Sequence, residues 1–360
     1  FYAESLMNLQ PWAYWTTDGQ PLDHATEIVS VLESVLAQHP LHPGANHFYI
    51  HAVEASKHPE VASAAADRLR NLVPGSGHLV HMPSHIYINT GRYAEAVSSN
   101  ADAIKADEAY FEKVGDQGFY SLYYIHNIHF LAFAAMMEGQ SKIAIDATRR
   151  MEEKVPDSFL EDFAAYGDGL MTAKFHALIR FGRWQEILDE LEYADFRKVS
   201  RAIRSYARVV ALANLMRTDE ARVELARFDA LVKEVPSDWL IGTNSASTIL
   251  SLSRQMAEGE VLWREGNTEA AFAKMREAVA AEDQLVYDEP PGWMLPVRHA
   301  LGAILLAAGE AKQAEQVYRD DLADWQENAW ALLGLEQSLR KQNRTADADA
   351  VAIRVTAAWG

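Results

Sequence analysis

Cysteine is absent from the 360 residues. That excludes disulfides, thiolate zinc sites and iron–sulfur clusters, and it leaves the redox compartment unmarked. Positive charge is scarce as well: 33 Lys and Arg stand against 51 Asp and Glu, a net charge of −18. Phosphate binding needs a clustered basic face, so nucleic acid is not an expected partner, and an anionic membrane surface is equally disfavoured. The field suits a neutral or cationic substrate, or a metal cation. No run of about 18 apolar residues occurs, so membrane insertion is not expected. Alternating β-branched stretches are missing, while Ala, Leu, Glu and Arg dominate, which points to an all-α chain. The chain begins at Phe1, with neither a methionine nor a signal-like segment, as a mature or trimmed form would.

What the sequence does contain is repetition. At this length one compact core gives way to two domains or a repeat array. Pro40 and Pro74 close helical stretches 34 residues apart, and His47 and His51 recur at the same interval as His81 and His85. Glycine turns of similar form follow at Thr90-Gly91-Arg92-Tyr93, Glu138-Gly139-Gln140-Ser141, Phe181-Gly182-Arg183-Trp184, Glu265-Gly266-Asn267-Thr268 and Ala308-Gly309-Glu310-Ala311. Successive glycines are 48, 43, 84 and 43 residues apart, and the 84 holds two units with a glycine-free turn near Arg217-Thr218-Asp219. Non-helical stretches are expected at Pro11–Pro21, Gly115–Gly118 and Asp288–Gly292.

These turns, the closing prolines and the 34-residue period resemble the tetratricopeptide repeat superfamily. The resemblance runs from about Leu22 to Thr356 and implies a tetratricopeptide-like α-solenoid, a right-handed superhelix of about seven or eight helix pairs. A short N-terminal helix and aromatic loop occupies 1–21 and the superhelix 22–360, with a histidine-rich groove over 44–130 and C-terminal repeats over 240–360.

Seven of the thirteen histidines fall in three short segments, each on the first helix of a pair. His47, His51 and Glu54 are spaced i, i+4, i+7, and His78, His81 and His85 are spaced i, i+3, i+7, so each set projects from one face. His81 and His129 each precede a turn glycine by ten residues, His78 and His126 by thirteen, and His47 joins the first row through the 34-residue shift. His51 and His85 form a second row, which His176 rejoins, and His299 returns to the first. In the family the first helices line the concave groove, so the resemblance implies that these imidazoles point into it. Adjacent helices lie roughly 8–10 Å apart, close enough for neighbouring rings to share an ion.

Three readings compete: separately packed histidines, a peptide-binding groove with imidazole donors, and a transition-metal site. The metal reading takes His47, His51, His81, His85, His126 and His129 as ligands. Glu54 is then a ligand or general base, and His78 a second-sphere or acid–base residue. Imidazole donors with at most one carboxylate select copper or zinc, with iron and nickel behind them, and disfavour magnesium and calcium. Seven histidines exceed the need of one ion, so a mononuclear or a dinuclear centre follows, paired copper being the sharpest form. Tyr124, His176, Tyr287, Glu289, Trp293, Arg298 and His299 are expected along the groove, the later ones around the Pro290-Pro291 turn. Glu4 and Asn8, ahead of the Trp12 and Trp15 loop, are expected at its N-terminal end.

The segments Gly44–Glu54, His78–Tyr87 and Tyr123–Phe130, with Pro11–Trp15 and Tyr287–Pro291, resemble a bacterial group of histidine-rich tetratricopeptide proteins. That resemblance implies further helices upstream of Phe1 and singles out neither the cytoplasm nor the periplasm. The expected function is a metal-dependent oxidoreductase or hydrolase acting on a small molecule in the groove. The rivals are a scaffold that binds a peptide or protein partner, and a non-catalytic metal-binding protein.

Overall fold

The structure, a computed structural model, describes residues 1–17, 19–115 and 118–359. Asp116 and Gln117, inside the expected non-helical stretch 115–118, lie outside the described residues, as do Asp18 and Gly360. The chain forms two compact units, Phe1–Ala134 and Ala135–Gly360.

The first unit contains α1 (Tyr2–Leu9), α2 (Ala25–Gln38), α3 (Pro43–Val53), α4 (Ser63–Leu69), α5 (Gly77–His81), α6 (Pro83–Asn89), α7 (Tyr93–Val114) and most of α8 (Ser121–Met137). Residues 1–21 are part of this unit, with α1 packed on α2. Pro43 opens α3 at a position where a missing N–H costs nothing. His42 caps it, its Nδ1 accepting from the Ala45 N–H at 3.1 Å. Pro83 interrupts the next helix. The segment carrying His78, His81 and His85, expected as one helix, is two, with a break at Met82. Proline has no N–H to continue the ladder, and the His85 N–H falls back to the Met82 carbonyl.

The second unit contains α9 (Ser141–Lys154), α10 (Asp157–Asp162), α11 (Ala164–Leu170), α12 (Ala173–Arg180), α13 (Trp184–Asp189), α14 (Lys198–Asn214) and α15 (Thr218–Val232). A two-residue hairpin follows, β1 (Leu240–Ile241) against β2 (Asn244–Ser245). The chain continues with α16 (Ala246–Arg264), α17 (Thr268–Glu282), α18 (Val297–Ala308), α19 (Ala311–Asp324), α20 (Ala329–Lys341) and α21 (Thr345–Trp359). Partners pack as α14 with α15, α16 with α17, α18 with α19 and α20 with α21, while α12, α14 and α16, and then α18 and α20, stack first helix on first helix. That is the contact pattern of a helical repeat.

One turn recurs at seven helix hairpins. The N–H groups of Arg92, Gln140, Arg183, Arg217, Asn267, Glu310 and Arg344 each donate to the carbonyl five residues earlier. The residue before each has positive φ: Gly91, Gly139, Gly182, Gly266 and Gly309, and Met216 and Asn343 in the two glycine-free turns. This is a Schellman closure, which satisfies terminal carbonyls and reverses the chain. Its recurrence marks an all-α solenoid of repeated helix pairs. Close helix approach is visible in the last pairs, where a side chain at Gly302 or Gly334 would collide with the Tyr318 ring lying between them.

Candidate metal centre

The histidine site lies wholly within the first unit. His47 and His51 come from α3, His78 and His81 from α5, His85 from α6 and His126 from α8. Their ligand atoms converge in two groups of three, His47–His51–His78 and His81–His85–His126, each with all donor atoms within 4.8 Å. The groups abut, the His51 and His85 rings being 5.3 Å apart at their centroids.

The set that the spacing placed on one face divides between two groups, with His78 and His81 parting although both lie on α5. His78 turns to α3, its Nε2 3.1 Å from His47 Nε2. His81 and His85, one turn apart, bring their Nε2 atoms to 2.8 Å, and His126 Nε2 lies 3.1 Å from His81 Nε2. Counting from the turn glycines pairs His129 with His81, but the α8 ring that reaches His81 is His126, one turn earlier. His129 is buried and, among the described residues, belongs to neither triad.

Glu54 sits between the triads, 5% exposed. Its Oε1 accepts from His51 Nδ1 at 2.8 Å and its Oε2 from His85 Nδ1 at 2.7 Å. One carboxylate thus orients one ring in each triad, and it forms a third close group with them. His81 is oriented separately. Asn100, on α7, donates through Nδ2 to the Ala96 carbonyl and to Ser84 Oγ, both at 2.8 Å. Its Oδ1 is therefore the acceptor facing His81 Nδ1 at 2.7 Å. Three Nδ1–H groups are fixed in this way, which leaves the lone pair on Nε2 of His51, His81 and His85.

The consequence is sharpest at His81 and His85. Two Nε2 lone pairs at 2.8 Å repel unless a cation lies between or beside them, and a third imidazole nitrogen approaches the same place. A proton satisfies one such pair; a metal ion satisfies three. Metal-bound histidines ordinarily donate their second nitrogen to a carboxylate or carbonyl oxygen, which is the role of Glu54 and Asn100 here.

Electrostatics favours neutral rings. Burial, then the neighbouring imidazoles, pushes His47 down to about 2 and His78 down to about 3. The same causes hold His81 and His126 well below the ordinary value, and burial alone brings His129 down to about 4. Burial opposes ionisation of Glu54, but the facing His51 and His85 outweigh it and hold the carboxyl well below its usual range. For the metal-free protein the sign follows directly. The unfolded chain takes up protons near pH 6.5 that the folded chain refuses, so stability is full above that pH and is lost as pH falls towards the folded values. Each such histidine contributes a slope of at most about 1.4 kcal/mol per pH unit. The melting temperature of metal-free protein should therefore fall steadily from pH 7 to pH 5. A flat profile would contradict buried, neutral imidazoles.

Burial is uneven within each triad. His51, His81 and His85 are buried, whereas His47, His78 and His126 are partly exposed, so both groups have an accessible side. Exposed aromatics border it: Trp12 packs edge-on against His51 at 5.2 Å and Tyr123 against His78 at 5.1 Å. Behind the cluster the buried Phe130 stacks on His85 at 5.1 Å. The start of α5 is held by a close approach, since a Cβ at Gly77 would collide with the Asp107 carboxylate. That carboxylate is itself anchored by Tyr120 Oη at 2.9 Å and Asn127 Nδ2 at 2.7 Å.

The remaining expected groove residues have contacts of their own. Tyr124 donates to Glu108 at 2.8 Å in the first unit. In the second unit His176 packs edge-on against the buried Trp293 at 4.7 Å, and Arg298 pairs with Asp283 at 2.7 and 2.9 Å. The Tyr287 carbonyl accepts from Thr243 Oγ1 at 3.0 Å, and Glu289 precedes a cis peptide bond to Pro290. His299 lies between Arg180, at 3.0 Å, and Asp321, at 2.9 Å. Glu4 and Asn8 lie on α1, where both are outside the core. Among the described residues, no helix is long and apolar enough to cross a membrane.

Neither a family model nor a curated protein matches the chain. Among solved structures it is similar to an assembly chaperone of RpL4 (Acl4, residues 1-338), at 13% identity and a TM-score of 0.27, covering 91% of this chain and 99% of that one. It is also similar to a chain in a structure of Naa15/Naa10 bound to HypK-THB, at 15% identity and a TM-score of 0.21, covering 93% of this chain and 61% of that one.

Proposed function

We propose that this chain is a metalloenzyme whose two histidine triads hold a pair of transition-metal ions and act on a small molecule at their accessible side. The observation that carries the reading is the contact of His81 and His85 Nε2 at 2.8 Å with both Nδ1 atoms already committed to oxygen acceptors. All-imidazole triads match copper best, because affinity for nitrogen donors peaks at Cu²⁺ in the divalent series; zinc is next. Copper supplies electron transfer and oxygen activation when bound, and zinc supplies activation of water.

The protein's own contribution is orientation and charge. Glu54 and Asn100 fix which nitrogen of His51, His85 and His81 faces inward, and burial keeps His81 unprotonated at neutral pH. Three ligands per group leave room for a fourth at each ion, which distinguishes a reactive site from a closed structural one. Trp12 and Tyr123 flank that side and offer aromatic surface to a small organic substrate.

The test is oxygen consumption by copper-loaded protein over a panel of small phenols, amines and thiols. Turnover that disappears in a His126→Ala variant supports the oxidoreductase. Copper-loaded protein that consumes no oxygen, combined with ester or amide hydrolysis by zinc-loaded protein, moves the assignment to a hydrolase. Inactivity with both metals overturns catalysis.

A further inference from the structure

The second unit contains a cavity of about 350 Å³ whose lining includes Arg180, Tyr206, Met256, His299, Ala303 and Trp330. It is mostly apolar and large enough for a small organic molecule. Its charged groups are not equivalent. Glu260 is matched, accepting from Arg264 Nε at 3.1 Å and from Asn214 Nδ2 at 2.8 Å. Arg180 is not. Its Nη1 donates to His299 Nδ1 at 3.0 Å, and His299 in turn donates through Nε2 to Asp321 at 2.9 Å, so an imidazole separates the guanidinium from the carboxylate. Its Nε and Nη2 are buried and have no hydrogen-bond partner. Those two nitrogens form one edge of the fork that binds a carboxylate through two parallel hydrogen bonds. The guanidinium also lies 5.0 Å from the centre of the Trp330 ring, which braces it without neutralising it. Burial brings the group down only to about 10, so it carries its charge at neutral pH.

An unpaired buried cation beside an apolar cavity is costly unless a ligand completes it. We propose that this cavity binds a small carboxylic acid with an apolar or aromatic body. The carboxylate pairs with the Arg180 guanidinium, whose small displacement brings the unpartnered nitrogens to it, and the body lies against Trp330, Tyr206 and Met256. The site is separate from the histidine triads and stands whether or not they hold metal.

The experiment is calorimetric titration of the full chain with 3-phenylpropionate and, in parallel, with its uncharged amide. One molecule of acid per chain is expected to bind, with the amide weaker by at least about tenfold, the value of one charge-assisted hydrogen bond. Arg180→Met should abolish the preference for the acid. Ala303→Trp, at an exposed lining position, should block both ligands and keep the fold testable if the arginine variant does not fold. Equal binding of acid and amide, acid binding that survives Ala303→Trp, or no binding of either ligand would overturn the proposal.

Discussion

Replacing His81 and His85 together by alanine should remove one metal ion per chain while leaving the helical signal close to wild type. These two rings supply two of the three donors in their triad and the shortest nitrogen–nitrogen contact in the cluster. The remaining donor, His126, cannot hold an ion alone. The other triad keeps His47, His51 and His78, although Glu54 then loses its bond from His85 and holds only His51. Helicity should persist because the repeat is built on apolar packing and on Schellman turns that do not involve these side chains. The measurement pairs elemental analysis with circular dichroism. Global unfolding of the double variant would point instead to a structural role for the histidines, as in metal-dependent folding.

Glu54→Gln should weaken both sites at once. The carboxylate accepts from one ring in each triad, whereas an amide offers one acceptor oxygen and one NH2 group. One of the two Nδ1–H groups must then face a donor, and that ring loses its tautomer or its orientation. Changes to such orienting groups cost roughly 10–100-fold in metal affinity. Competition titration against a chromophoric chelator reads this directly. An effect confined to one ion would mean that Glu54 serves only one triad. Unchanged affinity would mean that it orients neither.

The repeat was legible because its turns demand a left-handed residue, and glycine supplied it at Gly91, Gly139, Gly182, Gly266 and Gly309. The turn at Asn343 left no such mark, since asparagine tolerates the same conformation but is common elsewhere. At Met216 only the gap between glycines revealed a unit. The histidine rows were legible for a similar reason: helical spacing converts sequence intervals into shared faces. Their division into triads was not, because His78 and His81 share α5 yet meet different helices, His78 reaching α3 while His81 joins His85 and the α8 ring of His126. Glu54, read as a ligand or base, lies between two Nδ1 atoms from different helices, a placement no local spacing encodes. Asn100 was missed because it belongs to α7, the second helix of its pair, and its amide orientation is settled only by Ala96 and Ser84. The Arg180 cavity draws on residues from Ile179 to Trp330, too far apart in the chain for any motif to signal it.

The most direct test of the central claim is the metal content of untagged protein, purified from cells supplied with copper and zinc and dialysed free of loosely bound ions. Two ions of copper or zinc per chain, one for each triad, is the predicted result. Protein that carries no metal as purified, and takes up none when copper or zinc is returned to it, would contradict it.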